Sequence, residues 1–161
     1  MSVDPQGQRA SFNGADFEGI IENVICDVLE IPSQKWGEPT GKAFSHSDNI
    51  LWKNVPYESI YGTKCRSEFV LNYAGRRIRI ECKSQQSPGS VDEKLPYLVK
   101  NFTEKVPEEE TIIITNGSGF RDGALEWLRE ACMGTKCIVH TSSSFIFYLV
   151  NLKNAHSKQA D

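Results

Sequence analysis

Three features of the chain predict an α/β fold, a mixed β-sheet flanked by helices. Apolar residues recur at helical spacing over 15–31, two alternating segments fill 65–85, and short apolar runs alternate with helical segments toward the C-terminus. A 3.6-residue period marks a helix, a period of two marks a half-buried strand, and a short continuous apolar run suits a strand buried on both faces. Strands that alternate with helices are covered on both sides of their sheet. With 161 residues, the chain is expected to form one domain over 1–161 with a real core.

The elements follow in order. Residues 1–13, polar and rich in Gln, Ser and Gly, are expected to form a mobile arm. Phe17, Ile20, Ile21, Val24, Ile25, Val28 and Leu29 make the helical stripe, with Asp16 or Asn13 as its cap and Pro32 as its end. Residues 32–50 show little periodicity and read as a long loop, a length often functional. A short strand is expected around 50–52 and a turn between 56 and 62. Over 65–73, Phe69, Leu71 and Tyr73 point one way and Glu68, Val70 and Asn72 the other. Ala74 and Gly75 make a tight turn. The next strand turns Ile78, Ile80 and Cys82 to the core, and Arg77, Arg79, Glu81, Lys83 and Gln85 to the opposite face.

Ser90-Val91-Asp92-Glu93 matches a capping box that opens a helix reaching about residue 102, with Pro96 in its early turns. Residues 111–115 (TIIIT) form a buried strand, 117–119 a loop, 121–133 a helix and 137–140 a last strand. Residues 145–152 pack as a short helix or strand, and 154–161 are expected to fray.

Composition bounds the class. Hydrophobic content of 39% and charged content of 24% are ordinary for a soluble globular protein. No run approaches the ~18 apolar residues of a membrane span, and the N-terminus lacks the apolar region of a signal peptide. The five cysteines form no CxxC pair, and no histidine is spaced to complete a zinc site. Their odd number suits free thiols in a reducing compartment, so a cytoplasmic location is expected. A net charge of −3 lowers the expectation of nucleic-acid binding, but local clusters matter more than the total. Arg66, Arg76, Arg77, Arg79, Lys83 and Lys94 gather near the hairpin, while Glu108-Glu109-Glu110 place acidic charge elsewhere. The arginines also read as a solvated hairpin face.

The hairpin carries the chemistry. Glu81 and Lys83 share a strand face, and Glu68 on the partner strand faces the same way. Metal-assisted phosphodiester hydrolysis needs oxygen ligands for a hard cation and positive charge beside the developing phosphorane. Glu68, Glu81 and the backbone carbonyl of Cys82 can supply the ligands, and Lys83 the charge. Glu18 can join them if the first helix packs alongside, although Asp16 and Glu22 are equally available.

The segment SEFVLNYAGRRIRIECKSQ resembles the core of the PD-(D/E)XK nuclease superfamily, the restriction-endonuclease-like fold. Glu81-Cys82-Lys83 matches its E-x-K triplet, and Glu68 stands where the family usually has aspartate. The following QQSPGSVDEKLPYLVKNF resembles the helix entry of phage and restriction-type members. The resemblance covers roughly residues 55–118. It implies an αβββαβ core and a Mg²⁺-dependent endonuclease, with Mn²⁺ able to substitute, that cuts DNA, including branched or structured DNA. It implies a homodimer where both strands are cut. Glu68, Glu81, Lys83 and Gln85 would be catalytic, and Glu68, Glu81, Cys82 and Glu18 would hold metal. Arg77, Arg79, Ser90 and Lys94 would contact nucleic acid.

Blander readings stay open. Glu81 and Lys83 also suit a surface ion pair, and Glu68 a partner for Arg66 or Arg79. Gln85 suits a polar surface position as well as a water or phosphate contact. Ser90 and Lys94 suit capping and solvation. A catalytically inactive nuclease-fold binding or assembly protein, or a nuclease acting on RNA, are the alternative functions.

Overall fold

The computed structural model describes the backbone of residues 5–37 and 48–160, and side chains from residue 15 on. β1 (Ser33–Lys35), β2 (Ile50–Glu58), β3 (Lys64–Tyr73), β4 (Arg76–Ser84), β5 (Glu110–Asn116) and β6 (Cys137–Thr141) form one sheet in that spatial order. The β2–β3 and β3–β4 pairs are antiparallel, and the β1–β2, β4–β5 and β5–β6 pairs are parallel. Helices α1 (Pro5–Leu29) and α4 (Ser142–Gln159) pack on one face. Helix α2 (Val91–Lys100), a π-helical turn (Asn101–Lys105) and α3 (Asp122–Cys132) pack on the other. The expected mixed sheet between helices is present, and its α-β-β-β-α-β order reads α1-β2-β3-β4-α2-β5.

Two cores follow from this layering. Phe17, Ile21 and Ile25, four residues apart on α1, meet Leu71, Ile78 and Ile80 of the hairpin and Phe145 of α4. Leu95, Leu98 and Phe102 meet Ile113 and Leu128 on the opposite side. The hairpin turn is built as expected, with Ala74 and Gly75 both left-handed at φ 54° and 75°. That is the conformation a two-residue hairpin loop requires.

Several expectations need correction. Helix α1 begins at Pro5, so residues 5–13 are helical where an arm was expected, and Asn13 and Asp16 lie inside the helix rather than capping it. Proline suits a first helical position because its φ is already set. Residues 1–4 lie outside the described residues. The helix ends through Glu30 at φ 56°, with the Ile31 N–H donating to the Cys26 carbonyl at 3.2 Å. The expected loop 32–50 contains β1, too short to show a period, paired with Leu51–Lys53; residues 38–47 of it lie outside the described residues. Strand β2 runs on through Pro56 to Glu58. Among the described residues β1 pairs with β2 only as far as Lys53, so no described strand pairs with β2 beside Pro56 on that side, where a missing N–H is tolerated. Residues 145–152 belong to α4, whose capping box is made by Thr141 and Ser144, and which remains helical through Gln159. Residue 161 is outside the described residues.

Candidate active site

The site forms where one β-ladder stops and the neighbouring one skips a rung. The β3–β4 ladder runs from Tyr73↔Arg76 to Phe69↔Ile80 and goes no further, and the β2–β3 ladder skips the Asn54–Glu68 rung. Asn54 is left-handed at φ 56°, a conformation asparagine tolerates better than most residues. Side chains change layers across this break. Leu51 and Phe69 lie in the α1–α4 core, while Tyr57 packs on the α2–α3 side.

Side chains replace the missing rung. The Cys82 N–H donates to Glu68 Oε2 at 2.5 Å, and the Glu68 N–H points at Glu81 Oε2 at 3.4 Å. Lys83 Nζ donates to Glu81 Oε1 at 2.8 Å. The break therefore gathers two carboxylates and an ammonium. Burial, reinforced by the Glu81 carboxylate, holds the Glu68 carboxyl well above the usual carboxylate range, against the opposing pull of the Cys82 N–H and Lys83. Burial pulls Lys83 down, but Glu81 and Glu68 outweigh it and leave the amine raised and protonated. Lys83 is thus a hydrogen-bond donor and positive charge, and is not set up as a proton acceptor.

A cleft of about 350 Å³ opens over Glu68 from the α1 side. Glu18, Glu22, Lys35, Lys53 and Asn54 line it with Glu68. Glu22 is held by Ser33 Oγ at 2.7 Å and Lys53 Nζ at 3.1 Å. Glu18 is exposed and faces the same cleft as Glu68. Among the described residues no three His, Cys, Asp or Glu side chains converge as a metal cluster. The Cys82 thiol is buried in the α1–α4 core, which leaves its backbone as the part available to the site.

The other site residues lie elsewhere. Arg79 is 2% exposed and is no nucleic-acid contact. Its Nε and Nη2 donate to both oxygens of Glu108, at 2.7 and 2.9 Å, and its Nη1 donates to the Val55 carbonyl and Ser67 Oγ. The reason is that the second sheet face is covered by α2 and the π-helical turn instead of solvent. The acidic run expected elsewhere in fact meets the arginines. Arg76 forms a two-point pair with Glu110, and Arg77 lies 4.0 Å from Glu108. Arg77 is half exposed, but it lines a cleft with Glu108, Glu109 and Glu110. Four residues of strand also separate it by about 13 Å from Glu81. Neither position suits a phosphate contact at the candidate centre.

Gln85 is buried, with every polar end engaged. Its Nε2 donates to Asp92 Oδ1 and the Gly119 carbonyl, both at 3.0 Å, and its Oε1 accepts the Val91 N–H at 3.0 Å. These bonds tie the end of β4 to the start of α2 and occupy both polar ends that the expected contact with reacting atoms would use. Ser90 occupies the cap position of α2 but makes no capping hydrogen bond; Gln85 takes the N–H instead. Lys94 is exposed on α2. Reasoning from the sequence missed Lys53 and Asn54, because β2 was expected to end near residue 52. The available signal was the single asparagine inside an otherwise strand-forming run.

A family model, the PD-(D/E)XK nuclease superfamily domain, matches residues 14–158. The chain belongs to this superfamily. The match extends the resemblance from the hairpin to α1 and α4. No curated protein matches the sequence. Among solved structures, the crystal structure of protein VC1899 from Vibrio cholerae is similar, with a TM-score of 0.49 and 12% identity over 98% of this chain and 36% of that one. The chain thus spans about a third of that protein's length. No helix among the described residues is long and apolar enough to cross a membrane.

Proposed function

We propose that the chain is a Mg²⁺-dependent endonuclease that hydrolyses phosphodiester bonds in DNA, with Mn²⁺ able to replace Mg²⁺. The observation that carries this reading is the broken rung. Glu68 and Glu81 share it with the Lys83 ammonium, and Glu68 also lines a cleft that holds Lys35 and Lys53. The donor set fits a hard cation. Two carboxylates crowded together, one of them pushed toward its protonated form by burial and by the other, gain from a cation between them. Mg²⁺ keeps several waters and needs only one or two carboxylates from the protein. Glu68, Glu81 and the Cys82 carbonyl would hold it, with Glu18 reaching in from α1. The bound ion would supply positive charge to the phosphate and lower the pKa of water.

The chain's own groups then have separate tasks. Lys83 donates hydrogen bonds to the attacking water or a phosphate oxygen and offsets charge as the phosphorane develops. Glu81 fixes the lysine by its 2.8 Å contact. The Cys82 N–H fixes Glu68, and Gln85 fixes the start of α2.

The test is incubation with plasmid, linear duplex, single-stranded, four-way-junction and RNA substrates, in Mg²⁺, Mn²⁺ or chelator. Metal-dependent cutting of DNA is expected. Lys83→Ala should slow it about 10²–10³-fold, and Glu81→Ala should slow it at least as much. No cutting in either metal would overturn the reading. Cutting that persists in both variants would overturn the site. Binding should weaken as salt rises if lysines of the cleft meet phosphates. Cutting both strands at one place needs two such centres, which a symmetric homodimer would provide.

A further inference from the structure

A pair of stacked tyrosines stands on the α2 side of the sheet, outside the catalytic rung. Tyr61 lies on Tyr97 with ring centroids 5.3 Å apart and planes 17° from parallel. Tyr61 is 76% exposed. An aromatic ring left so open contributes little to a core, yet the turn that carries it is tightly fixed. The Ser59 N–H donates to the Thr63 carbonyl at 2.8 Å, and the Gly62 N–H to the Ser59 carbonyl at 2.9 Å. Buried Ser59 Oγ accepts the Tyr61 N–H at 3.2 Å and contacts Thr63 Oγ1 at 2.7 Å. The Ile60 N–H donates to Oδ1 of buried Asn101, which anchors the turn to the end of α2. The ring is therefore presented by a rigid support.

Lysines stand beside it. Lys94 and Lys100 flank Tyr97 at i−3 and i+3, the neighbouring positions on one helix face, and exposed Lys64 opens β3 just after the turn. Lys100 is paired with Glu104 at 2.8 Å and Lys105 with Glu58 at 3.0 Å, so Lys94 and Lys64 are the lysines outside these two pairs, with Glu93 exposed on α2. The support also points toward the site. Tyr97 Oη lies 3.7 Å from Cys65 Sγ, and Cys65 precedes Glu68 by three strand residues, about 10 Å. Tyr57 is the cross-strand partner of Cys65. An open aromatic face with lysines beside it is an arrangement on which unpaired bases stack.

We propose that Tyr61, seated on Tyr97, is a stacking platform for an unpaired nucleobase of the strand whose phosphodiester is cut at Glu68, Glu81 and Lys83. This rests on the nuclease reading and narrows it to substrates with an unstacked base close to the cleavage point. Binding in chelator separates the two. Labelled single-stranded DNA and RNA oligonucleotides, each carrying 2-aminopurine at successive positions, are titrated with wild type, Tyr61→Phe and Tyr61→Ala. Circular dichroism checks that each variant is folded, which is expected because Tyr61 is at the surface. Wild type and Tyr61→Phe should quench 2-aminopurine at one position. Tyr61→Ala should lose that quenching and bind about 5- to 150-fold more weakly, the range for a single stacked base. An abasic nucleotide at that position should weaken wild type and leave Tyr61→Ala unchanged. The DNA and RNA arms identify which strand is accepted. Equal binding by wild type and Tyr61→Ala, or no position-specific quenching, overturns the platform even when plasmid is cut. Tyr61-dependent quenching with no cutting of any substrate would uphold the platform and overturn the nuclease reading.

Discussion

Arg79→Met tests the reassignment of Arg79 from nucleic-acid contact to core residue. Arg79 and Glu108 side chains are each 2% exposed and joined by two hydrogen bonds, and the guanidinium also holds Val55 and Ser67 and lies 5.2 Å from the Tyr57 ring centroid. Removing one member of a buried pair leaves the other charge uncompensated and costs about 3–5 kcal/mol. Against a total stability of about 5–15 kcal/mol that is a large fraction. At about 2–4 °C per kcal/mol for a chain of this size, the melting temperature should fall by about 6–20 °C. Glu108→Leu alone should be similarly harmful, because it leaves Arg79 buried without its anion and takes from Arg77 the carboxylate 4.0 Å away. The double variant Arg79→Met/Glu108→Leu should recover most of the loss, because an apolar pair of similar volume replaces a buried ion pair at little cost. Thermal and urea unfolding of the four proteins give the coupling, expected to exceed about 1 kcal/mol. A single variant as stable as wild type, with a shallower salt dependence of DNA binding, would restore Arg79 as a phosphate contact and refute the assignment.

Two further outcomes follow from the same geometry. Burial raises the Glu108 carboxyl, but the hydrogen bonds and charge of Arg79 outweigh it, and the net shift is downward from 4.5. Its contribution to stability is therefore complete above the unfolded value near 4.5 and lost as pH falls through the lower folded value; Arg79→Met should flatten the acid limb of a stability–pH curve, and an unchanged limb would contradict the pairing. Gln85→Ala should cost about 2–4 kcal/mol by leaving the Val91 N–H and the Gly119 carbonyl without partners. It should slow cutting through misplacement of α2, and a fully stable variant would remove the seating role.

The hairpin was legible because its period of two is carried by strong strand formers, and because Glu68, Glu81 and Lys83 stay close in sequence. The roles of Arg79 and Gln85 were not legible. Both occupy the expected outward phase of β4, but what covers that face is decided by α2 and the π-helical turn, whose apolar stripe over Leu95, Leu98 and Phe102 is visible while its docking side is not. Once the face is covered, an arginine there must find a buried anion, and Glu108 is the one supplied. The ladder break was hidden for another reason. It depends on Asn54 adopting φ 56°, a single backbone state that leaves the surrounding pattern unchanged.

That break also explains why glutamate stands where relatives of the resembled family usually carry aspartate. The Glu68–Glu81 rung has no backbone pairing, so the Glu68 side chain must span to β4 to accept the Cys82 N–H at 2.5 Å. Aspartate is one methylene shorter and would withdraw its oxygen by about 1.5 Å, the length of a backbone Cα–C bond, past any hydrogen-bond distance. Glu68→Asp keeps the charge and loses the reach, whereas Glu68→Gln keeps the reach and loses the charge. If both matter, both variants should cut DNA at least about tenfold more slowly. Glu68→Asp should also lose about 1–2 kcal/mol of stability as the Cys82 N–H loses its partner. Metal titration of cutting separates them further, with Glu68→Gln needing more Mg²⁺ because a ligand charge is gone. Wild-type cutting and stability in Glu68→Asp would show that strand β3 closes the gap by moving, and that the rung is not held open by the side chain.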